Sequence, residues 1–408
     1  MRTMWMAGAF LLATACASTG EQTEPAAQCP TTGQALFDLA IARDAAKAQM
    51  AYPPGGGGSV DALHDSLSAQ AGAAQTPAEH LRVLEAFVYG LGDHHAHLGV
   101  SSKLSPRLVP TNASVWVEMR SGDLVVTEVL PGSAARAAGL REGMIVDSID
   151  GAAPGALKPP FATPDRAEAM RGFAARVALA GTRSHDAEIV AHGADGTSVT
   201  TAIPVAGSRP DAPASLSWPE PDVALIRINN KLGDDSLPPA FDAVMRVAGK
   251  AATIVLDLRD TPSGGDSVIA RPVMSWFIDG KKGYQTHQRG KKIWTEKVKG
   301  RADHFRGKLI VLADHWTGSM GEGTTIGLRA AAGATYVGTP MAGLRGAIES
   351  TDLPCLKAQI RFPVEQLFEV GGGRRELAQP DVLVAEAELA AAREGEDAIL
   401  KRALELVR

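Results

Sequence analysis

Lys308–Ala332 reads KLIVLADHWTGSMGEGTTIGLRAAA. Its apolar run from Leu309 to Ala313 predicts a buried strand, and the pattern from Glu322 onward predicts a helix. Between them sits a tight Thr317-Gly318-Ser319-Met320-Gly321 turn. A serine on a strand-to-helix turn has an exposed hydroxyl with backbone N–H groups around it, the geometry that acyl transfer requires. Serine at such a point is also a common helix N-cap. Taken alone the stretch favours the cap, so the rest of the chain decides.

At 408 residues the chain has room for two or three domains. A net charge of −5, with no basic cluster standing out, argues against nucleic acid as a partner. Arg2 is followed by an apolar run, Met4 to Ala13, too short to span a bilayer but shaped like a secretory signal. Leu12-Ala13-Thr14-Ala15-Cys16 is similar to a bacterial lipoprotein signal, which implies residues 1–16 as leader, lipidation of Cys16 and membrane anchoring through it. Leu12 sits one place earlier than the usual pattern, and plain cleavage after Ala15 or Ala17 is the alternative. Either route exports the protein to a bacterial periplasm or cell envelope. There Cys29 and Cys355 either pair or remain two separate thiols.

Residues 17–32 read as a polar tether. Residues 33–107 read as a helical region: apolar spacing over Gly33–Met50, then Val60–Ala71, then a capping box at Thr76-Pro77-Ala78-Glu79 opening a helix to Tyr89. After Gly90-Leu91-Gly92 comes Asp93-His94-His95-Ala96-His97-Leu98. Histidine-rich tracts bind metals, but no second ligand cluster accompanies this one, so no metal and no cofactor is expected. A solvated loop and a catalytic base are the other readings.

Residues 108–206 read as a β-rich unit, with strands at Val115–Met119 and Leu124–Leu130, a turn and short helix over Pro131–Leu140, and a strand over Arg141–Gly151 closed by a Gly turn. Prolines 210, 213, 219 and 221 predict a linker over 207–221. From 222 onward strands alternate with helices, predicting an α/β core on a largely parallel sheet. The apolar strand Ala252–Arg259 runs straight into Asp260-Thr261-Pro262-Ser263-Gly264-Gly265. Paired glycines there let backbone N–H groups face an oxyanion, though such a turn alone is more often a plain loop.

VTEVLPGSAARAAGLREGMIVDSIDG, residues 126–151, resembles the bacterial, permuted PDZ domain. With it, Asp257-Leu258-Arg259 leading to Gly264-Gly265, the Ser319 turn with Glu322, Val337-Gly338-Thr339-Pro340 and Gln379-Pro380-Asp381-Val382 resemble the tail-specific (C-terminal-processing) and tricorn-like serine proteases. The resemblance covers roughly residues 75 to 408. It implies a multidomain chain whose α/β protease core, residues 222–408, is ClpP/crotonase-like, with Ser319 as nucleophile. It also implies that the PDZ unit takes an extended peptide, with a carboxylate nest at Asn112-Ala113-Ser114-Val115.

Tail-specific members pair the serine with a lysine shortly after the Val337–Pro340 segment. Leu344 stands there, and neighbouring Arg345 stays protonated and is no base. The resemblance is therefore to the lysine-lacking, histidine-containing branch. Leu91–Leu98 aligns with that branch's histidine motif and puts the base on His95, with His97 the lesser candidate. Glu376 is the implied carboxylate of the triad, with Glu349 and Asp93 as rivals. Met320 and Gly264 are the implied backbone donors to the oxyanion. The expected function is thus an exported serine endopeptidase acting on peptide or unfolded protein. The rival is a catalytically silent peptide-binding protein, motivated by the absent lysine and by Asp260-Thr261 in place of the usual asparagine.

Overall fold

Three helices are formed where apolar spacing places them: α1 (Gln34–Gln49), α2 (Val60–Ala73) and α3 (Pro77–Gly90). Thr76 Oγ1 accepts the Glu79 N–H at 3.2 Å and Glu79 returns the bond to the Thr76 N–H at 3.0 Å, so the predicted capping box starts α3. Leu39, Leu63, Leu84 and Phe87 meet in one apolar cluster that also takes Ile360 and Phe362. The computed structural model describes residues 28–160, 162–205, 210–393 and 395–407. The expected leader, Cys16 and residues 17–27 of the tether lie outside the described residues.

The central sheet shows why the apolar runs read as strands. β9 (Thr253–Asp257) and β12 (Lys308–Ala313) pair in parallel, and all but Lys308 are buried. Strands covered on both faces need such continuous apolar sequence. The order is β16-β13-β12-β9-β8-β7, with β7 (Ala214–Glu220), β8 (Val223–Ile228), β13 (Thr335–Gly338) and β16 (Val382–Leu383). Only the β7–β8 pair is antiparallel. The linker expected at 207–221 is corrected here: 214–220 form a strand. The prolines misled because an edge strand can present a missing N–H to solvent, and Pro219 sits on such an edge. Helices α6 (Leu237–Ala248), α7 (Ser267–Ser275) and α8 (Met320–Ala332) connect and cover the sheet.

A second sheet runs β1-β15-β10-β11, with β14 (Ala347–Leu353) also on β15 (Ala358–Phe368). β10 (Lys281–Arg289) and β11 (Lys292–Lys299) form a hairpin. β1 is only His97–Leu98, which pair with Arg361 and Ile360; this short ladder pins the histidine loop to the core. The disulfide Cys29–Cys355 ties the start of the described chain to the β14–β15 turn. Nearby, buried Asp38 accepts the N–H groups of Cys355 and Leu356 at 3.2 and 2.7 Å.

The third sheet, β2 (Val115–Arg120), β3 (Asp123–Val129), β4 (Ile145–Ile149), β5 (Ala187–His192) and β6 (Ser198–Ile203), runs in that order. α4 (Ala134–Ala137) and α5 (Ala167–Ala180) complete this β-rich unit. β2 is an edge strand, and α5 lies along it.

Candidate active site

Ser319 follows β12 and immediately precedes α8, and its backbone is bent to φ 49°, ψ −110°. Few non-glycine residues tolerate positive φ, and such strain persists only where neighbours enforce it. Here Glu322, fully buried, reaches back and accepts the Ser319 N–H at 2.7 Å. The turn is also knitted to the glycine loop: the Gly318 N–H donates to the Thr261 carbonyl at 3.2 Å, and Thr317 and Thr261 hydroxyls both donate to the Leu258 carbonyl. The Ser319 side chain makes no capping hydrogen bond, so its hydroxyl is left for other work.

Gly264 lies against that hydroxyl. A Cβ there would fall 2.4 Å from Ser319 Cβ, 3.0 Å from Ser319 Oγ and 3.0 Å from the Met320 nitrogen, and its φ is +65°. Only glycine fits. Met320 is the first residue of α8, so its N–H has no intrahelical acceptor and faces this space. Gly264 itself donates to the Thr261 carbonyl at 3.0 Å. Its amide is thus engaged in the turn, and among the described residues Gly265 is the member of the pair whose amide has no partner.

His95 is buried beside a different loop. Its Nδ1 lies 2.6 Å from the Arg345 carbonyl; a carbonyl only accepts, so Nδ1 carries the proton and Nε2 keeps the lone pair. Asp93 accepts the His95 N–H at 2.9 Å. Burial pushes the His95 imidazole down to about 3. Among the described residues no hydrogen bond joins Ser319 Oγ to a histidine. His97 Nδ1 is turned to the His95 carbonyl at 3.0 Å, and His94 takes a hydrogen bond from Arg176 Nε at 3.1 Å while stacking on Phe173.

The segment 341–346 is the strut between serine and histidine. Glu322 accepts the Gly343 N–H at 3.0 Å as well as that of Ser319, and Arg345 holds His95. Leu344, standing where the lysine of the dyad would be, is buried with its Cδ1 3.1 Å from a Cβ built on Gly318. Arg375 donates to the Leu344 and Gly346 carbonyls at 2.8 and 3.1 Å and stands 3.8 Å from Glu322. Burial nevertheless raises Glu322 to about 7, against the opposing pull of Arg375. Glu376 does not touch His95; its carboxylate takes the Tyr52 hydroxyl at 3.3 Å. The place a triad gives its carboxylate is filled by the Arg345 carbonyl. Glu349 is engaged with Arg289 on the second sheet.

The expected carboxylate nest is covered. Ala113, Ser114 and Val115 are buried, the Asn112 and Ala113 amides donate to the Leu108 and Pro110 carbonyls, and the Ala113 carbonyl receives Trp316 Nε1 at 2.7 Å. Along β2, Arg176 from α5 donates to the Val117 carbonyl at 2.9 Å, and its guanidinium lies over Trp116. The β-rich unit meets the serine turn through Glu128, which faces His315 Nδ1 at 2.5 Å and accepts Thr339 Oγ1 at 2.8 Å. Burial pushes Glu128 up and His315 down.

Sequence reading names Ser319, His95, Met320 and Gly264 but not Glu322, Arg375 or the Arg345 carbonyl as parts of the site. Ser319-Met320-Gly321-Glu322 does have the spacing of a capping box, which was the available signal for Glu322. A carbonyl role leaves no mark on side-chain identity.

Three solved structures share this fold. A photosystem II D1 C-terminal processing protease aligns with TM-score 0.58 and 18% identity over 91% of this chain and 99% of its own. Mature CPAF complexed with lactacystin aligns with TM-score 0.61 and 13% identity, over 92% and 97%. A lipoprotein from Streptococcus agalactiae aligns with TM-score 0.52 and 10% identity, over 94% and 98%. No curated protein matches the chain by sequence. Residues 222–384, from β8 to the end of the parallel sheet and including the Ser319 turn, match peptidase family S41.

Proposed function

We propose that the chain is an exported serine endopeptidase in which Ser319 is the nucleophile and His95 the base. The observation that carries this is the Ser319 turn: a strained backbone, a hydroxyl not used for capping, the free Met320 N–H and a glycine that leaves room beside it. Ser319 Oγ attacks the scissile carbonyl as its proton passes to His95 Nε2. The oxyanion is met by the Met320 N–H and by an amide of the Gly264–Gly265 turn. His95 then returns the proton to the departing amine, and water repeats the cycle on the acyl-serine. The Arg345 carbonyl keeps His95 in the required tautomer. An imidazole near 3 is a weak base at neutral pH, so turnover requires His95 to move toward Ser319 and gain a partner at Nε2; apo sites are often looser than their complexes.

Export and anchoring at Cys16 rest on the leader, and the Cys29–Cys355 bond suits an oxidising compartment. Mass measurement of the mature N-terminus tests the lipid. Recognition of substrate C-termini rests on β2 being an edge strand beside α5, with Arg176 now on its Val117 carbonyl, and unchanged cleavage of a C-terminally amidated substrate would count against it.

A silent binding protein is the second reading, favoured by Leu344 and by the absent Ser319–histidine hydrogen bond. Fluorophosphonate labelling with mass-spectrometric localisation separates the two. Modification at Ser319, lost in Ser319→Ala together with cleavage of unfolded protein, is expected; wild type that neither reacts nor cleaves removes the peptidase reading.

A further inference from the structure

Residues 281–301 hold six lysines, two arginines and one glutamate, in a chain whose net charge is −5. No basic cluster stands out along the sequence because polar and apolar residues separate these charges; the β10–β11 hairpin folds them onto one another. Register sets Lys281 opposite Lys299, Gly283 opposite Lys297 and Arg289 opposite Lys292. Like charges directly opposite each other oppose strand pairing, yet two such pairs are kept. Arg289 is matched by Glu349 and Arg301 by Asp242. Lys281, Lys282, Lys291, Lys292, Lys297 and Lys299 are exposed and have no acidic partner among the described residues.

Alternate residues of a strand share a face, so Ile293, Thr295, Lys297 and Lys299 lie on one side of β11. Ile293 is 64% exposed, and Val370, 41% exposed, lies 3.7 Å from where a Gly283 Cβ would project. The face therefore mixes unmatched ammonium groups with bare aliphatic side chains. Lysines on an edge strand serve to discourage sheet-to-sheet pairing, but that role gives no reason to expose Ile293 and Val370 among them. An extended acidic peptide would engage the ammonium groups and leave the aliphatic chains in water. An anionic bilayer surface engages both, with lysines at the phosphates and aliphatic groups at the acyl boundary.

We propose that the β10–β11 face docks on anionic phospholipid headgroups, independently of any acyl chain at Cys16. The test uses the full chain carrying Cys16→Ala, floated with phosphatidylglycerol–phosphatidylcholine vesicles and with phosphatidylcholine alone. Binding to the anionic vesicles only, weakening as salt is added, is expected. Adding Lys281→Gln, Lys297→Gln and Lys299→Gln should weaken partitioning about a hundredfold, at about fivefold per lysine, with unchanged circular dichroism and unchanged peptide hydrolysis. Ile293→Ser should weaken it further at a salt level where the lysines are screened. Absent binding to anionic vesicles at low salt, equal binding to neutral ones, or a triple variant that binds like its parent overturns the proposal. Capture of polyglutamate without capture of vesicles overturns it too, and gives the face to an acidic polypeptide.

Discussion

Glu322 offers the sharpest test of how the serine turn is held. Its two oxygens accept the N–H groups of Ser319 and Gly343 at 2.7 and 3.0 Å, inside a fully buried site. Glu322→Gln keeps the volume but has one acceptor oxygen, and its NH2 must face the other donor. One of the two amides then loses its partner, and either loss loosens the serine turn or the strut that carries Arg345. A displacement of about 1 Å at a reacting group costs on the order of 100-fold in rate, so kcat on a soluble peptide should fall by about that factor. Stability should respond differently. Burial raises the Glu322 carboxyl from its ordinary 4.5 to about 7. A raised pKa means its contribution is full below pH 4.5 and is lost as pH rises through 7. At about 1.4 kcal/mol per unit, the loss across that window is about 3 kcal/mol. Glutamine cannot ionise and lacks this loss. Urea unfolding of both proteins at a series of pH values should therefore show the wild-type-minus-variant free energy dropping by about 3 kcal/mol between pH 4.5 and 8. The expected signature is a variant that gains relative stability with pH while hydrolysing peptide slowly. A flat difference across that range, together with wild-type kcat, would refute the role given to this carboxylate.

Replacing His95 with alanine should lower kcat by about 10²- to 10⁴-fold, the usual span for a general base, while His97→Ala should cost far less; equal losses in a peptide-hydrolysis assay would remove His95 from the base position. Cys355→Ser should cost about 2–5 kcal/mol of stability and abolish the response to reductant in thermal unfolding; a melting curve unaffected by reductant in wild type would contradict the pairing with Cys29. Arg176→Met should free the Val117 carbonyl and open the edge of β2, raising affinity for an extended peptide measured by fluorescence polarisation, and unchanged affinity would show that Arg176 does not occupy the binding edge.

Much of this was legible in residues that act locally. The strand–turn–helix around Ser319, the capping box at Thr76, and the alternation in β2 and β3 each depend on neighbours a few positions away, and periodicity reports those. Gly264 came from the resemblance, which implied a backbone donor in the paired-glycine turn, and its close approach to Ser319 appears only in the structure. What escaped depends on distant partners or on backbone atoms. Glu128 and His315 are 187 positions apart, and nothing in either local sequence announces the other. The tautomer of His95 is set by a carbonyl, which every residue possesses. Ala214–Glu220 escaped because proline was read as a break, although an edge strand accepts it. Glu376 shows the reverse: motif order suggested a partner for His95 that the geometry gives to Tyr52.

The two-residue strand β1 has a consequence for how activity arises. His97 and Leu98 are held by Arg361 and Ile360, and His95 by a carbonyl 250 positions away. Such contacts cannot form until the later part of the chain exists, and closing loops of that length is slow. A chain that is still emerging, or that has folded only its helical region and β-rich unit, has no docked histidine. With His95 as the proposed base, proteolytic competence would be among the last properties to appear, a delay written into connectivity.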